Sequence, residues 1–255
     1  MMKLQGQTAV ISGGLGDIGR AVAMELARCG AHISLGDVKS AEEARPMLDQ
    51  LEALGAQAVY IQADIRDSQA VEHWMDVTEE QLGLPALIIS NAGIVTRASV
   101  MDITTEQWNN EFAVNVGGAL TLCRQAARRL MKEGAPGKIV LLGSWAAHRP
   151  NKAIPAYCAS KAALRMLGEI LAVELAAHNI VVNELALGVV HAGLSADNLS
   201  KMPQGDIAAK IPAGQWIKPE EVAWQVAHLC DPRNTNMTGS VVVMDGGLSL
   251  TSQWT

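Results

Sequence analysis

Apolar residues recur along this chain in short runs that alternate with longer stretches of helical period. "TAVIS" (8–12) is the first run, and residues 18–29 then place apolar side chains at helical spacing up to Gly30, a residue suited to a helix end. "AHISLG" predicts a second strand, residues 41–54 a helix closed by Gly55, and "QAVYIQ" a third strand. A helix near 68–82 leads to "ALIIS" (86–90), a fourth strand followed at once by "NAG". One long helix is expected from about Thr105 to Lys132, then a fifth strand "KIVLLG" (138–143), a helix over 156–178 and a sixth strand "IVVNELA" (180–186). Residues 188–216 show no period and contain Gly, Pro, Ser and Asn. Such a long irregular segment inside a compact domain is usually a lid or a binding loop. A helix near 219–230 and the strand "SVVVMD" (240–245) complete the pattern.

Strands rich in Val, Ile and Leu on both faces, separated by helices, indicate a parallel sheet covered on both sides. The expected fold class is therefore α/β. One doubly wound domain spans residues 1–255, with about seven strands and residues 188–216 as a substrate loop. A chain of 255 residues is long enough to bury a substantial core.

Composition narrows the functions. The net charge is −6, and Arg124, Arg128 and Arg129 form the one basic cluster, which argues against a nucleic-acid partner. No apolar run reaches the length of a membrane span, so no membrane partner is expected. The start, "MMKLQGQTAVISGG", lacks the basic, apolar, small order of a signal peptide. Cys29, Cys123, Cys158 and Cys230 are scattered, with no CxxC pair and no His at metal spacing. They read as free thiols of a reducing, cytoplasmic compartment, with no metal site.

The candidate chemistry begins at "SGGLGDIG" (12–19), where Gly14-x-Gly16-x-x-Gly19 lies between a strand and a helix. Glycines there permit a tight turn and close backbone approach, and the helix N-terminus offers free N–H groups to a pyrophosphate. Gly13, Leu15, Gly16, Asp17, Ile18 and Gly19 are thus candidate cofactor contacts. Asp17 puts a carboxylate beside an expected anion. A carboxylate in the first turn stabilises a helix by about 0.3–1 kcal/mol, and with its side chain turned outward its amide still faces the phosphate. Asp37 ends the second strand in "SLGD", where a carboxylate can accept hydrogen bonds from both adenosine ribose hydroxyls and repel a 2′-phosphate. That favours NAD over NADP. Lys39 could offset part of the repulsion, and Asp37 could instead be an ordinary turn or cap residue.

"YCASK" (157–161) puts Tyr157 and Lys161 four residues apart on one helix face. A free phenol has a pKa of about 10 and is a poor base at neutral pH. A neighbouring ammonium favours the phenolate, so Tyr157 could then exchange a proton with an alcohol or ketone oxygen. Ser144, at the end of the fifth strand, could lie beside the phenol and hydrogen-bond the same oxygen.

These pieces together resemble a short-chain dehydrogenase/reductase of the compact form of about 250 residues, from residue 5 to about 250. They are "SGGLGDIGRA", "AD" at 63–64, "NAG" at 91–93, "VNVGG" at 114–118, Ser144, "YCASK" and "MTGSVVVMDGG". The resemblance implies a Rossmann-type fold and NAD-dependent hydride transfer between a CH–OH group and a carbonyl. It implies that Asp64 and Ile65 border the adenine and that Asn91, Ala92 and Gly93 brace the fourth strand beside the cofactor. It adds Asn115 to Ser144, Tyr157 and Lys161 as a fourth catalytic member. Gly117 and Gly118 suit a helix distortion there, whose freed carbonyl could hold a water linking Lys161 to solvent. Relatives pair their two long helices into a homotetramer, and Leu164, Leu167, Leu171 and Leu175 mark such a stripe here.

Three departures stand out. Asp17 replaces a usual glycine, as in longer relatives with TGxxGxxG spacing; Leu187-Gly188 replaces Pro-Gly; and Ala192 replaces a threonine that contacts the carboxamide. The Val190 backbone or Ser195 is the expected substitute near the nicotinamide, and Gly188 is a further candidate cofactor contact. For the substrate, Ser144, Trp145, Tyr157 and His191 are the candidate contacts, with His148, Arg149, Asn151, Lys152 and Trp216 nearby in sequence. Polar groups with an occasional indole suit a small sugar or polyol, although such a Trp is more often core or interface. The alternatives are a 3-oxoacyl carrier-protein reductase, where relatives often carry an arginine at His178, or another ketone reductase. A non-catalytic NAD-binding regulator is the rival class, opposed by four filled catalytic positions.

Overall fold

The computed structural model describes residues 4–192 and 210–251. Seven parallel strands form one sheet in the order β3-β2-β1-β4-β5-β6-β7. They are β1 (Thr8–Ser12), β2 (His32–Asp37), β3 (Ala58–Gln62), β4 (Pro85–Ser90), β5 (Gly137–Ser144), β6 (Ile180–Leu187) and β7 (Val241–Met244). The connecting helices are α1 (Asp17–Arg28), α2 (Ala41–Ala53), α3 (Ser68–Leu82), α4 (Thr105–Phe112), α5 (Ala119–Glu133), α6 (Pro155–Leu175) and α7 (Pro219–Leu229). No described helix is long and apolar enough to cross a membrane.

Both sheet faces are covered. Ala9 and Ile11 of β1 face a core shared with Val22 and Leu26 of α1, Met47 and Leu51 of α2 and Val226 of α7. Val10, between them, faces the opposite core with Trp74, Leu122 and Leu164. This period of two, with both sides apolar, is what a doubly covered parallel strand requires. Local signals set the helix starts. Ser40 and Glu43 form a reciprocal cap on α2, Thr104 and Gln107 another on α4, and Asp67 accepts the Gln69 and Ala70 amides at α3.

The order reverses between β1 and β4, so their connections leave to opposite sides and open a crevice at the strands' C-terminal ends. Every candidate site described below sits at or near that edge.

Three sequence expectations need correction. The helix expected over 105–132 is three segments, because Ala113–Gly118 between α4 and α5 winds as a π-helix. Gly117 and Gly118 fall in it, and a Cβ on Gly118 would lie 2.6 Å from Ile65 Cγ2. The helix expected over 156–178 ends at Leu175 and tightens into a 3₁₀ turn, Ala176–His178, before left-handed Asn179. The leucine stripe also faces inward. Leu164, Leu171 and Leu175 are buried in the core, while Met166, Ile170 and Val173 carry the exposed apolar surface of α6. In the segment 188–216, Val190 forms a parallel bridge with Ile217, and Ser195 lies outside the described residues.

Candidate active site

Backbone geometry shapes the first wall. Gly13 adopts φ +62°, and a Cβ there would stand 3.0 Å from Ala92 Cα. A Cβ on Gly19 would meet the Gly13 carbonyl oxygen at 2.3 Å, so α1 packs against the turn only with glycine. Asn91 fixes this turn to β4. Its Nδ2 donates to the carbonyls of Ser12 and Gly13, both at 3.0 Å, while Ser12 Oγ accepts the Asn91 and Ala92 amides. Gly16 starts α1 without a side-chain cap, which leaves first-turn N–H groups for an anion. Asp17 is exposed in that first turn, at the cleft mouth.

The second wall carries Asp37. Its Oδ2 accepts the Leu15 amide at 3.0 Å and its Oδ1 the Lys39 amide at 3.3 Å. Lys39 Nζ reaches the Leu15 carbonyl at 3.5 Å, so the cation and the carboxylate hold the same turn. Beyond them, Asp64 pairs with Arg66 at 2.6 Å, and the guanidinium holds the Asp64 carboxyl below its ordinary value. Arg66 also donates to Asn110 Oδ1 at 2.6 Å.

A cleft of about 490 Å³ runs from Asp37 and Lys39, past Gly13, Gly16 and Ile18, to Tyr157 and Lys161. Asp64, Ile65, Asn91, Ala92 and Gly93 also line it. Near its inner end Ser144, buried at the end of β5, accepts the Ala146 amide at 3.1 Å. Lys161 Nζ donates to the Leu142 carbonyl at 2.8 Å and stands 5.5 Å from the Tyr157 ring centroid. Asn115, in the π segment, clasps Ile94: its Oδ1 accepts the amide at 2.9 Å and its Nδ2 donates to the carbonyl at 3.0 Å. Its Nδ2 also donates to Ser160 Oγ.

The protein alone does not lower the Tyr157 phenol, contrary to the sequence expectation. Burial pushes it up to about 12, with Glu111 and Cys158 adding to the rise and the Ser144 hydroxyl opposing it. Burial likewise holds Lys161 down to about 8, against the pull of Glu184 and Glu111. An amine turned to a backbone carbonyl, in a dry setting, is a weak source of positive potential for the phenol.

Several expected contacts lie off the cleft. Leu15 is 2% exposed and offers its amide while its side chain joins the core; Gly19 lies under Gly13. Gly188 abuts Asp245 and donates to the Met244 carbonyl, and Val190 is buried in the bridge to Ile217. Trp145 is buried in a satellite cluster with Val189, Ile211 and Leu248. His191 is exposed and stacks on Trp216 at 4.5 Å. Sequence reasoning singled out neither Leu142, Gly143 and Ile94 on the cleft nor Arg66. Their signal was positional, since each follows or ends a strand at the crevice edge.

Behind this end lies a buried ion pair. Arg165, one turn after Lys161 on α6, grips both Glu184 oxygens at 2.9 and 3.0 Å and meets His148 Nδ1 at 3.0 Å. A Cβ on Gly143 would fall 1.9 Å from Glu184 Oε1, so the carboxylate fills the room left by the glycine.

Comparison with known proteins agrees with this geometry. A family model described as enoyl-(acyl carrier protein) reductase, of the short-chain alcohol dehydrogenase type, matches residues 14–249. The chain is 27% identical over 254 residues to an L-rhamnose 1-dehydrogenase (NAD(P)(+)) of Sphingomonas sp. strain SKA58, covering 99% of this chain and 100% of that protein. It is 29% identical over 256 residues to a sorbitol dehydrogenase of Cereibacter sphaeroides, covering 96% and 98%. A short-chain type dehydrogenase/reductase from Mycobacterium marinum has a solved structure that superposes with a TM-score of 0.92, at 29% identity and 98% coverage of both chains.

Proposed function

The chain belongs to the short-chain dehydrogenase/reductase family, and as an NAD(P)-dependent oxidoreductase of CH–OH groups we propose that it uses NAD on a small sugar or polyol. The reaction interconverts a secondary alcohol, or a sugar hemiacetal, with its carbonyl. The observation that carries this reading is Tyr157 with Lys161 Nζ 5.5 Å from its ring, both at the inner end of a glycine-walled cleft.

The cleft fits a dinucleotide. The left-handed Gly13, the uncapped start of α1 and the outward Asp17 suit a pyrophosphate, and Asp37 suits two ribose hydroxyls. Asp64 and Ile65 would border the adenine, and Asn91, Ala92 and Gly93 the ring-bearing half. The bound nicotinamide would take the hydride from the carbinol carbon and bring a positive charge to that end of the cleft. Ser144 holds the substrate oxygen, and Tyr157 removes its proton as the carbonyl forms. Lys161 holds the nicotinamide ribose and, in a closed site with a nearby cation, favours the phenolate. Asn115 keeps the 94–96 segment against α6.

The sugar or polyol assignment draws on the two relatives named for L-rhamnose and sorbitol. The stack of exposed His191 on half-buried Trp216, outside the cleft itself, is the place for specificity. NAD reduction over a panel of aldoses and polyols, with simple secondary alcohols as controls, tests the substrate class. Tyr157→Phe should cut turnover on the best substrate at least about a hundredfold while NAD affinity stays within twofold, since general acid–base catalysis is typically worth about 10²–10⁴. Lys161→Met should lose turnover and bind NAD more weakly. Near-full turnover in Tyr157→Phe would overturn the mechanism.

A further inference from the structure

A carboxyl group that the proposed chemistry does not use lies against the catalytic helix. Glu111 is 0% exposed, on the last turn of α4, which packs against α6. Its Oε2 accepts the Thr96 amide at 2.9 Å, and its Oε1 has no hydrogen-bond partner among the described residues. A buried carboxyl oxygen is ordinarily satisfied by protein, by water or by its own proton.

Its place is specific. Glu111 and Asn115, one turn apart, hold alternate residues of the same segment, Thr96 and Ile94. Asn115 Oδ1 and Lys161 Nζ in turn converge on Gly93, lying 3.3 and 3.7 Å from the position a Cβ would take there. The carboxyl therefore sits one helical turn from Asn115, which flanks Gly93 together with Lys161. Lys161, Tyr157 and Cys158 are the titratable groups of α6 that feel it. Arg97, next in the chain to Thr96, is exposed.

We propose that Glu111 is a proton-relay residue acting behind Lys161, its free oxygen receiving the proton that alcohol oxidation delivers to the Tyr157–Lys161 pair. The inference rests on the dehydrogenase reading above. In the oxidation direction the carbinol C–H bond breaks with hydride passing to NAD, and the O–H proton passes to the Tyr157 phenolate. Lys161, as the ammonium, then gives a proton to the Glu111 carboxylate and takes the proton from the Tyr157 phenol, which restores phenolate and ammonium, and the Glu111 carboxylic acid releases its proton to solvent. Reduction runs the same transfers backwards. Burial raises the Glu111 carboxyl, with the Thr96 bond and Lys161 opposing, which suits a group that takes and releases a proton rather than a fixed anion.

A merely structural Glu111 would anchor Thr96 and nothing more. Glu111→Gln separates the two, because the amide oxygen can still accept the Thr96 N–H but cannot take a proton. For the relay, kcat of sugar or polyol oxidation in Glu111→Gln falls at least about tenfold at pH 7, and the loss shrinks as pH rises and solvent base takes over. KM and NAD affinity stay within about twofold, and the solvent deuterium effect on kcat grows. In the protein without cofactor, the Tyr157 phenol should ionise at lower pH than in the wild type, since Glu111 raises it. A wild-type kcat–pH profile in Glu111→Gln overturns the proposal, as does a loss that is equal at every pH. Either result counts against the relay alone if Tyr157→Phe is inactive, and against the dehydrogenase reading if Tyr157→Phe is not.

Discussion

Lys161 Nζ lies 5.5 Å from the centre of the Tyr157 ring, yet its hydrogen bond goes to the Leu142 carbonyl. The amine is near enough to feel the phenol but is occupied elsewhere. Activation of Tyr157 then depends on what enters the cleft.

That dependence can be measured. The chain has two tyrosines, and burial pushes both Tyr60 and Tyr157 up to about 12. Subtracting the phenolate absorbance trace of Tyr157→Phe from the wild type isolates Tyr157. Without cofactor the phenol should stay protonated to the limit of the folded range. With saturating NAD its midpoint should fall below about 10, because a nearby positive charge favours the phenolate. Oxidation rate should rise with pH through the lowered value. A midpoint that NAD does not move would refute the account.

Cofactor choice turns on Asp37. Its carboxylate is fixed by the Leu15 and Lys39 amides, so it cannot swing away from a 2′-phosphate without losing both bonds. NAD should bind at least tenfold more tightly than NADP, about 1.4 kcal/mol, and Asp37→Ser should narrow that gap. Calorimetric titration with both cofactors decides. Equal affinities in the wild type would show that Lys39, held at the Leu15 carbonyl, neutralises the carboxylate.

Arg165 and Glu184 form an ion pair in which the carboxylate is 3% exposed. Arg165→Met strands that charge, which should cost about 3–5 kcal/mol in urea unfolding. The double variant Arg165→Met/Glu184→Gln should recover much of the loss. Gly143→Ala should also destabilise, since its methyl would fall 1.9 Å from Glu184 Oε1. A fully stable Gly143→Ala would mean that the carboxylate has another place to sit.

Met166, Ile170 and Val173 expose 55, 54 and 83% of their surface at helical spacing on α6. An apolar stripe of this kind is commonly covered in an assembly. A homotetramer is the expected state, and light scattering at micromolar concentration should give four times the chain mass. Ile170→Glu should lower that mass. A monomeric wild type would show that the stripe stays in water.

Sequence patterning located the strands well because each is buried on both faces, and only a β-rich apolar run satisfies that. The glycine turn and the Tyr157–Lys161 spacing were legible because local geometry fixes them. The break at Ala113–Gly118 was legible only as the distortion that Gly117 and Gly118 suit; its π winding was not, since one helical period runs through it. The packing of Trp145 was not legible for a related reason. Its neighbours Val189, Ile211 and Leu248 are distant in sequence, and no local pattern reports them. Glu111 escaped notice because a lone acid on an amphipathic helix looks like solvated surface until its burial is known.

The π segment between α4 and α5 has one more consequence. Glu111 before it and Asn115 within it point to the site; downstream, Leu122, Cys123 and Ala126 point to the core. The wide turn takes up one extra residue, as single π turns inside α-helices do. Deleting a residue from 113–118 would let the winding run on as ordinary α-helix with α4 and α5 still in phase, while removing the widening that sets Asn115 between Ile94 and Ser160. The wide turn thus behaves as an insert that reshapes the site side of the helix and leaves the core side undisturbed, so such a deletion should cost activity far more than stability.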